Sequence, residues 1–230
     1  MLGKTVFYAP DTAGALGYAV ALLKEAGCVF APSPDRTVTH LLLGVPASDP
    51  GDILQALPAD VTVIGGRLPA LPGYRVIELL QDEAFVAENA DITARCAVTL
   101  AAQRLPVTWK GLPVLVIGWG RIGKCLARLL KNMDAAVTVV ARKPEARGML
   151  WALGYEAAAT PTQLHRYRVI FNTADHAGVD ALSREALSID LASHRGLLGE
   201  DVLWARGLPG KMAPESSGAL IAQTVLRLTQ

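Results

Sequence analysis

Apolar residues gather into short runs that alternate with stretches of helical period. Strands are predicted at residues 5–9, 37–45, 61–65, 114–117, 137–141, 169–172, 188–191 and 201–205. Several are rich in Val, Ile and Leu without strict polar alternation, the pattern of strands covered on both faces. Helical spacing occupies residues 12–26, 52–57, 91–103, 122–133, 144–153 and 214–228. Gly27 and Gly154 follow the first and fifth of these, where glycine accommodates a left-handed terminating turn. Repeated strand–helix units predict an α/β fold with doubly wound, mostly parallel sheets. A single eight-stranded sheet satisfies the pattern. The punctuation favours two lobes. Residues 65–73 read as a loop, and Leu105-Pro106 and Lys110-Gly111 lead from the helix at 91–103 into a fresh βαβ unit.

Composition narrows the function classes. The chain of 230 residues is 51% apolar and carries 22 basic against 21 acidic residues. Such balance argues against a broad nucleic-acid-binding face, and the apolar content argues against disorder. No apolar run is long enough to span a bilayer. Met1-Leu2-Gly3-Lys4-Thr5 runs straight into a strand broken by Pro10 and Asp11, so no signal peptide is expected. Cys28, Cys96 and Cys125 are widely spaced and lie in apolar stretches. They read as reduced, buried thiols of a cytoplasmic protein, and no CxxC or HxxxH spacing suggests a metal.

The strongest motif is Gly118-Trp119-Gly120-Arg121-Ile122-Gly123, between the strand at 114–117 and the helix at 122–133. In such a turn Gly118 allows the tight bend. Gly120 admits a pyrophosphate to the backbone, and Gly123 lets the helix pack closely on the strand. The helix start then offers N–H groups and partial positive charge to the phosphates. With a second strand at 137–141, the spacing is that of a dinucleotide-binding unit; the alternative is a glycine turn that only packs. Two Rossmann-like lobes with a cleft between them follow. Residues 1–90 form a short N-terminal substrate-side domain, 91–213 form the dinucleotide-binding domain, and the helix at 214–230 packs back on the first. The second strand ends in Ala141-Arg142-Lys143-Pro144, where NAD sites place a carboxylate for the ribose hydroxyls. Two cations at that end favour NADP over NAD, and Arg142 is also suited to stack on adenine. A solvated loop is the bland alternative.

Ligands of open α/β sheets bind beyond the carboxyl ends of the strands. Asn172-Thr173 ends one strand and Asp190-Leu191-Ala192-Ser193 the next, so both are expected in the cleft. His176 and His194 lie just past them and are candidate acid–base groups, although surface histidines are commoner. His40 and His165 look structural. The segment Gly207-Leu208-Pro209-Gly210-Lys211-Met212-Ala213-Pro214-Glu215-Ser216-Ser217-Gly218 reads as a constrained loop entering a helix. Ser216 and Ser217 in its first turn are suited to hold a carboxylate, against the alternative of a rigid connection.

Taken together, GWGRIG, ARKP, Asn172-Thr173, Asp190-Leu191-Ala192-Ser193 and GLPGKMAPESSG resemble the dipicolinate synthase A family. That family shares the NAD-binding fold of S-adenosylhomocysteine hydrolase. The resemblance runs from about Val76 to Leu228, and the C-terminal block is its most specific part. It implies NADP-dependent oxidation of dihydrodipicolinate to dipicolinate in bacterial spore formation, with a flavoprotein-like B-type polypeptide as partner. A homo-oligomer, a dimer as the first guess, is expected. The cofactor residues implied are Gly118 to Gly123, Ala141, Arg142, Lys143, Asn172, Thr173, Asp190, Ala192 and Gly207. His194, Asn89 and Ser193 are candidate catalytic groups. Thr93, Arg195, Lys211, Ser216 and Ser217 are candidate donors to the substrate carboxylates.

Two departures bear on the substrate. A family pattern like N-S-x-P-T-x-E-G reads here Asn89-Ala90-Asp91-Ile92-Thr93-Ala94-Arg95-Cys96, retaining Asn89 and Thr93. A first-strand ending like G-G-D-x-R reads Ala9-Pro10-Asp11-Thr12-Ala13, so only the acid survives. The first lobe is also short for the family. Two alternatives therefore stand: a same-fold oxidoreductase acting on another small carboxylic acid, or a non-catalytic NADP-binding partner protein.

Overall fold

The computed structural model describes residues 5–175, 177–179 and 186–229. The chain forms two compact units. One runs from the N-terminus to Asn89 and resumes at Pro209; the other is Ala90–Leu208.

The first unit contains β1 (Val6–Tyr8), α1 (Gly14–Glu25), β2 (Val29–Phe30), β3 (His40–Leu42), α2 (Gly51–Ala56), β4 (Thr62–Gly65), β5 (Arg75–Glu78) and the start of α3 (Glu83–Ala102). Its sheet is parallel throughout, in the order β2-β1-β3-β4-β5. Leu41, Leu43, Val61 and Val63 pack with Leu54 and Leu57 of the α2 region as one buried cluster.

The second unit contains β6 (Pro113–Ile117), α4 (Arg121–Asn132), β7 (Ala136–Val140), α5 (Pro144–Ala152), β8 (Glu156–Ala158), β9 (Val169–Asn172), β10 (Leu187–Asp190) and β11 (Leu203–Trp204). All pairs are parallel, in the order β11-β10-β9-β6-β7-β8. Counted from β6, this is the dinucleotide-fold order 3-2-1-4-5-6, which reverses between β6 and β9. On α4, Gly123, Leu126, Ala127 and Leu130 are buried at helical spacing, with Lys124, Arg128 and Lys131 on the outer side. Each Leu so buried contributes about 1.5–3 kcal/mol.

Two further helices follow, α6 (Leu208–Met212) and α7 (Pro214–Thr229). Within the first unit α7 packs on α1 at Gly218, where a Cβ would come within 2.5 Å of the Ala15 carbonyl oxygen and the Tyr18 Cβ. At the start of α3, Asp82 accepts a hydrogen bond from the Phe85 N–H at 2.8 Å. It also takes two from the Arg227 guanidinium on α7, at 2.7 and 3.1 Å.

The described residues form two parallel sheets, as the two-lobed reading expects, and the single eight-stranded alternative falls away. Other expectations need correction. β2, β5 and β8 are not anticipated by the sequence pattern, and all three are edge strands paired on one side only. Edge strands need no continuous apolar run, and these have exposed positions: Val29, Arg75 and Glu156. α3 begins at Glu83, not at 91, because Asp82 supplies a cap upstream of the apolar pattern. Residues 208–212 form a helical turn where a loop was expected, with Leu208 buried. Of the cysteines only Cys96 is buried; Cys28 and Cys125 are half-buried, and all three are free. Among the described residues no helix is long and apolar enough to cross a membrane.

Candidate dinucleotide-binding site

A pocket of about 630 Å³ opens at the carboxyl ends of β6, β7 and β9, where the strand order reverses. Ligand pockets typically measure about 300–1,000 Å³. Its floor is the glycine turn. Gly118 has φ 107°, a conformation L side chains rarely adopt, and a Cβ there would lie 2.5 Å from the Thr173 Oγ1. A Cβ on Gly123 would overlap the Gly118 carbonyl oxygen. Gly120 differs: its φ of −79° suits any residue, and a Cβ would meet nothing within 4 Å. No side chain caps α4 at Gly120, which lines the pocket, so the positive end of the helix faces it.

One wall is the end of β7. Ala141, Arg142 and Lys143 line the pocket, the last two exposed. Arg147 on α5 donates from Nη1 to the carbonyl oxygens of Ala141 (2.9 Å) and Arg142 (2.7 Å). The opposite wall is Thr173, Ala174 and Asp175 after β9. The Thr173 hydroxyl donates to the Ile117 carbonyl at 3.0 Å, which locks it against the glycine turn. Half-buried Trp119 packs edge-on to Tyr155 at 5.9 Å. Burial pushes the Tyr155 hydroxyl up, with Arg128 opposing.

Gly118, Trp119, Gly120, Ala141, Arg142, Lys143 and Thr173 are thus brought together in one pocket. Other expected cofactor residues lie outside its lining. Ile122 and Gly123 belong to the first turn of α4 beneath the loop, and Arg121 is exposed there. Asn172 and Asp190 are wholly buried and bonded to each other at 2.9 Å. The Asp190 carboxylate also accepts the N–H groups of Ala192, Gly196 and Leu197, at 3.0, 2.7 and 2.8 Å. It shapes the loop after β10 and does not reach the pocket. Ala192 is buried, and its carbonyl accepts the Trp204 Nε1–H at 3.2 Å. Gly207 is exposed in a left-handed turn before α6.

Ser193, His194 and Arg195 are exposed on the loop that Asp190 organises. The His194 N–H donates to Asp175 Oδ1 at 2.9 Å, and its ring Nδ1 lies 3.7 Å from the same oxygen. Arg195 donates to the Gly199 carbonyl at 2.7 Å. Asn89 and Thr93 stand one turn apart on α3, and Thr93 is buried. Arg95, which departs from the family pattern, pairs with Asp91 at 2.6 Å; Arg128 joins the same carboxylate at 2.9 Å. The burial of Asp91 opposes ionisation, but the two guanidiniums outweigh it and hold the carboxyl below its ordinary range. In the first unit Lys211 and Ser216 are exposed, whereas Ser217 is buried in α7 and its N–H donates to the Ala213 carbonyl. His40 is half-buried against Phe7, but His165 is exposed, not structural. His176 lies outside the described residues.

Sequence reasoning missed Thr160, Pro161, Asp175 and Arg147. The first two follow β8, an edge strand of three residues that opens on exposed Glu156. Arg147 is far enough down α5 to look like an ordinary exposed helix charge.

The sheet order and the glycine-floored pocket at its switch point define a dinucleotide-fold α/β protein of the dehydrogenase type. No family model matches the chain. The chain is similar to the A-type polypeptide of dipicolinate synthase from Bacillus subtilis (strain 168), 24% identical over 200 residues, spanning 77% of this chain and 67% of that protein. This is the family its motifs resemble. The crystal structure of the corresponding dipicolinate synthase polypeptide from Bacillus halodurans superposes with a TM-score of 0.84 at 19% identity, covering 99% of this chain and 98% of that one. Transhydrogenase from Sinorhizobium meliloti superposes at 0.73 and 13% identity, over 97% and 93%.

Proposed function

We propose that this chain is an NADP(H)-dependent oxidoreductase of the dipicolinate synthase A type, converting a dihydrodipicolinate ring to dipicolinate. The observation that carries the reading is Gly120. The fold does not need a glycine there, since a Cβ would point into open space. A ligand closing on that backbone does need one. The uncapped start of α4 suits a pyrophosphate, and Arg142 with Lys143 suits a 2′-phosphate on the adenosine ribose.

A bound nicotinamide dinucleotide supplies a hydride acceptor, and aromatisation of the ring supplies driving force. The chain's own residues then bind and orient. Ser193 and Arg195, exposed on one loop, are donors for a substrate carboxylate. Asp175 fixes the His194 backbone, and His194 Nε2 takes up the ring proton.

The test is NADPH formation from dihydrodipicolinate and NADP, with and without a flavoprotein-like B-type partner. NADPH production is expected. Turnover with NAD alone, or failure to bind either dinucleotide, overturns the reading. NADPH binding with no small acid turned over identifies a non-catalytic nucleotide-binding protein instead.

A further inference from the structure

Two carbonyl groups at the end of β7 are held by one side chain. The three consecutive carbonyl groups of residues 141–143 all accept from Arg147. Its Nη1 reaches Ala141 at 2.9 Å and Arg142 at 2.7 Å, and its backbone N–H reaches Lys143 at 3.2 Å. Arg147 is half-buried and does not itself line the pocket, whereas Arg142 and Lys143 do. The loop therefore carries two exposed, flexible cations on a backbone pinned at every peptide. The acidic residue nearest to it in sequence, Glu145, sits in the first turn of α5 and is absent from the lining.

We infer that Arg147 is the positioning residue for cofactor specificity: it fixes the 141–143 loop so that Arg142 and Lys143 converge on a 2′-phosphate. The inference rests on the NADP(H) reading above and adds the residue that enforces it. Two effects work in the same direction. Pinning the backbone removes part of the entropy that ordering two long side chains on a phosphate otherwise costs. The guanidinium also engages strand-end carbonyls that would otherwise be acceptors for the free ribose hydroxyls of NAD(H), and it adds a third positive charge behind the loop. The rest of the lining, the glycine turn and Thr173, follows β6 and β9 and not β7. Its loss should therefore fall on NADPH and spare NADH.

The experiment compares wild type, Arg147→Lys and Arg147→Gln by fluorescence titration with NADPH and with NADH. Each protein is also competed with adenosine 2′,5′-bisphosphate and with adenosine 5′-diphosphate. Lys keeps the charge, but its ammonium ends one bond short of the Nη1 that reaches both carbonyls. Both variants are expected to weaken NADPH and the 2′,5′-bisphosphate on the order of tenfold, with NADH and the 5′-diphosphate changed less than about twofold. A wild type that prefers NADH, or binds neither, sinks the NADP(H) reading itself. A wild type that prefers NADPH, with that preference unchanged in Arg147→Lys, sinks only the role of Arg147. Equal loss for both dinucleotides, or a lowered melting temperature without a change in preference, assigns Arg147 to folding and also overturns the inference. If Arg147→Gln does not fold, the Lys variant alone decides.

Discussion

Alanine at each of two glycines separates what the nucleotide turn needs for folding from what it needs for binding. At Gly123 the added methyl would overlap the Gly118 carbonyl oxygen and lie 3.1 Å from the Thr173 Oγ1. Both neighbours are held. The turn is fixed by the Gly118 N–H bond to the Val140 carbonyl at 3.0 Å, and Thr173 by its bond to Ile117. Such overpacking costs about 1–3 kcal/mol. Alanine's helix preference over glycine recovers at most about 1 kcal/mol, and less in a first turn. A net loss of about 1–2 kcal/mol is expected, several degrees of melting temperature at this size. At Gly120 the methyl meets nothing and the backbone is ordinary. The weaker capping by alanine costs about 1 kcal/mol or less. Its methyl does occupy the approach of a pyrophosphate, so dinucleotide affinity should fall tenfold or more, about 1.4 kcal/mol per decade. Thermal melts with and without NADPH, beside a fluorescence titration, read both quantities. Gly120→Ala should fold normally and bind poorly; Gly123→Ala should melt early. If Gly120→Ala binds as tightly as wild type, no phosphate approaches that backbone and the placement of the pyrophosphate at Gly120 fails.

Three further outcomes follow from other contacts. Replacing Arg142 with Asp removes a charge-assisted partner of the 2′-phosphate, worth about 1.5–3 kcal/mol; NADPH should weaken about tenfold to a hundredfold relative to NADH. An unchanged preference in competitive titration would show that another residue reads the ribose. Asp190→Ala removes one of the partners of the buried Asn172 amide and strands the N–H groups of Ala192, Gly196 and Leu197. At about 1–3 kcal/mol per stranded donor, urea denaturation should show a loss of at least about 3 kcal/mol, and a loss under about 1 kcal/mol refutes the hub. The bonds from Arg227, then from the Phe85 N–H, hold the Asp82 carboxyl below the ordinary carboxylate range. A depressed pKa stabilises above the unfolded-state value, about 3.9, and that stability is lost as pH falls through the folded value. Arg227→Met should flatten the acid limb of thermal melts, and an identical limb would remove the pair from the account.

What was readable in the sequence divides by how each strand is covered. β6, β7 and β9 lie inside the sheet and carry Val, Leu and Ile on both faces, so composition alone located them. The edge strands β2, β5 and β8 have one paired neighbour, and solvent reaches Val29, Arg75 and Glu156 there, so their apolar runs are short. The glycine turn was legible for a different reason. Backbone crowding around Thr173 and the left-handed Gly118 exclude other residues, so the sequence at these positions is nearly a copy of the geometry.

Polar residues at strand ends were the least legible, because one side chain type serves two opposite purposes there. Asn172, Thr173 and Asp190 all end strands on the ligand side of the sheet, and all were expected to face a cofactor. Thr173 lines the pocket, but its hydroxyl is committed to the Ile117 carbonyl. Asn172 and Asp190 turn inward to each other and to three loop amides. The deciding signal is the loop that follows. The segment 191–197 follows β10 with Gly196 packed so closely that a Cβ would come within 2.6 Å of the Asn172 amide nitrogen. Buried loop amides need an acceptor, and a carboxylate with room for about four donors supplies it. A carboxylate ending a strand just before such a glycine therefore organises the loop, and the ligand is met by what that loop presents: Ser193, His194 and Arg195, all exposed.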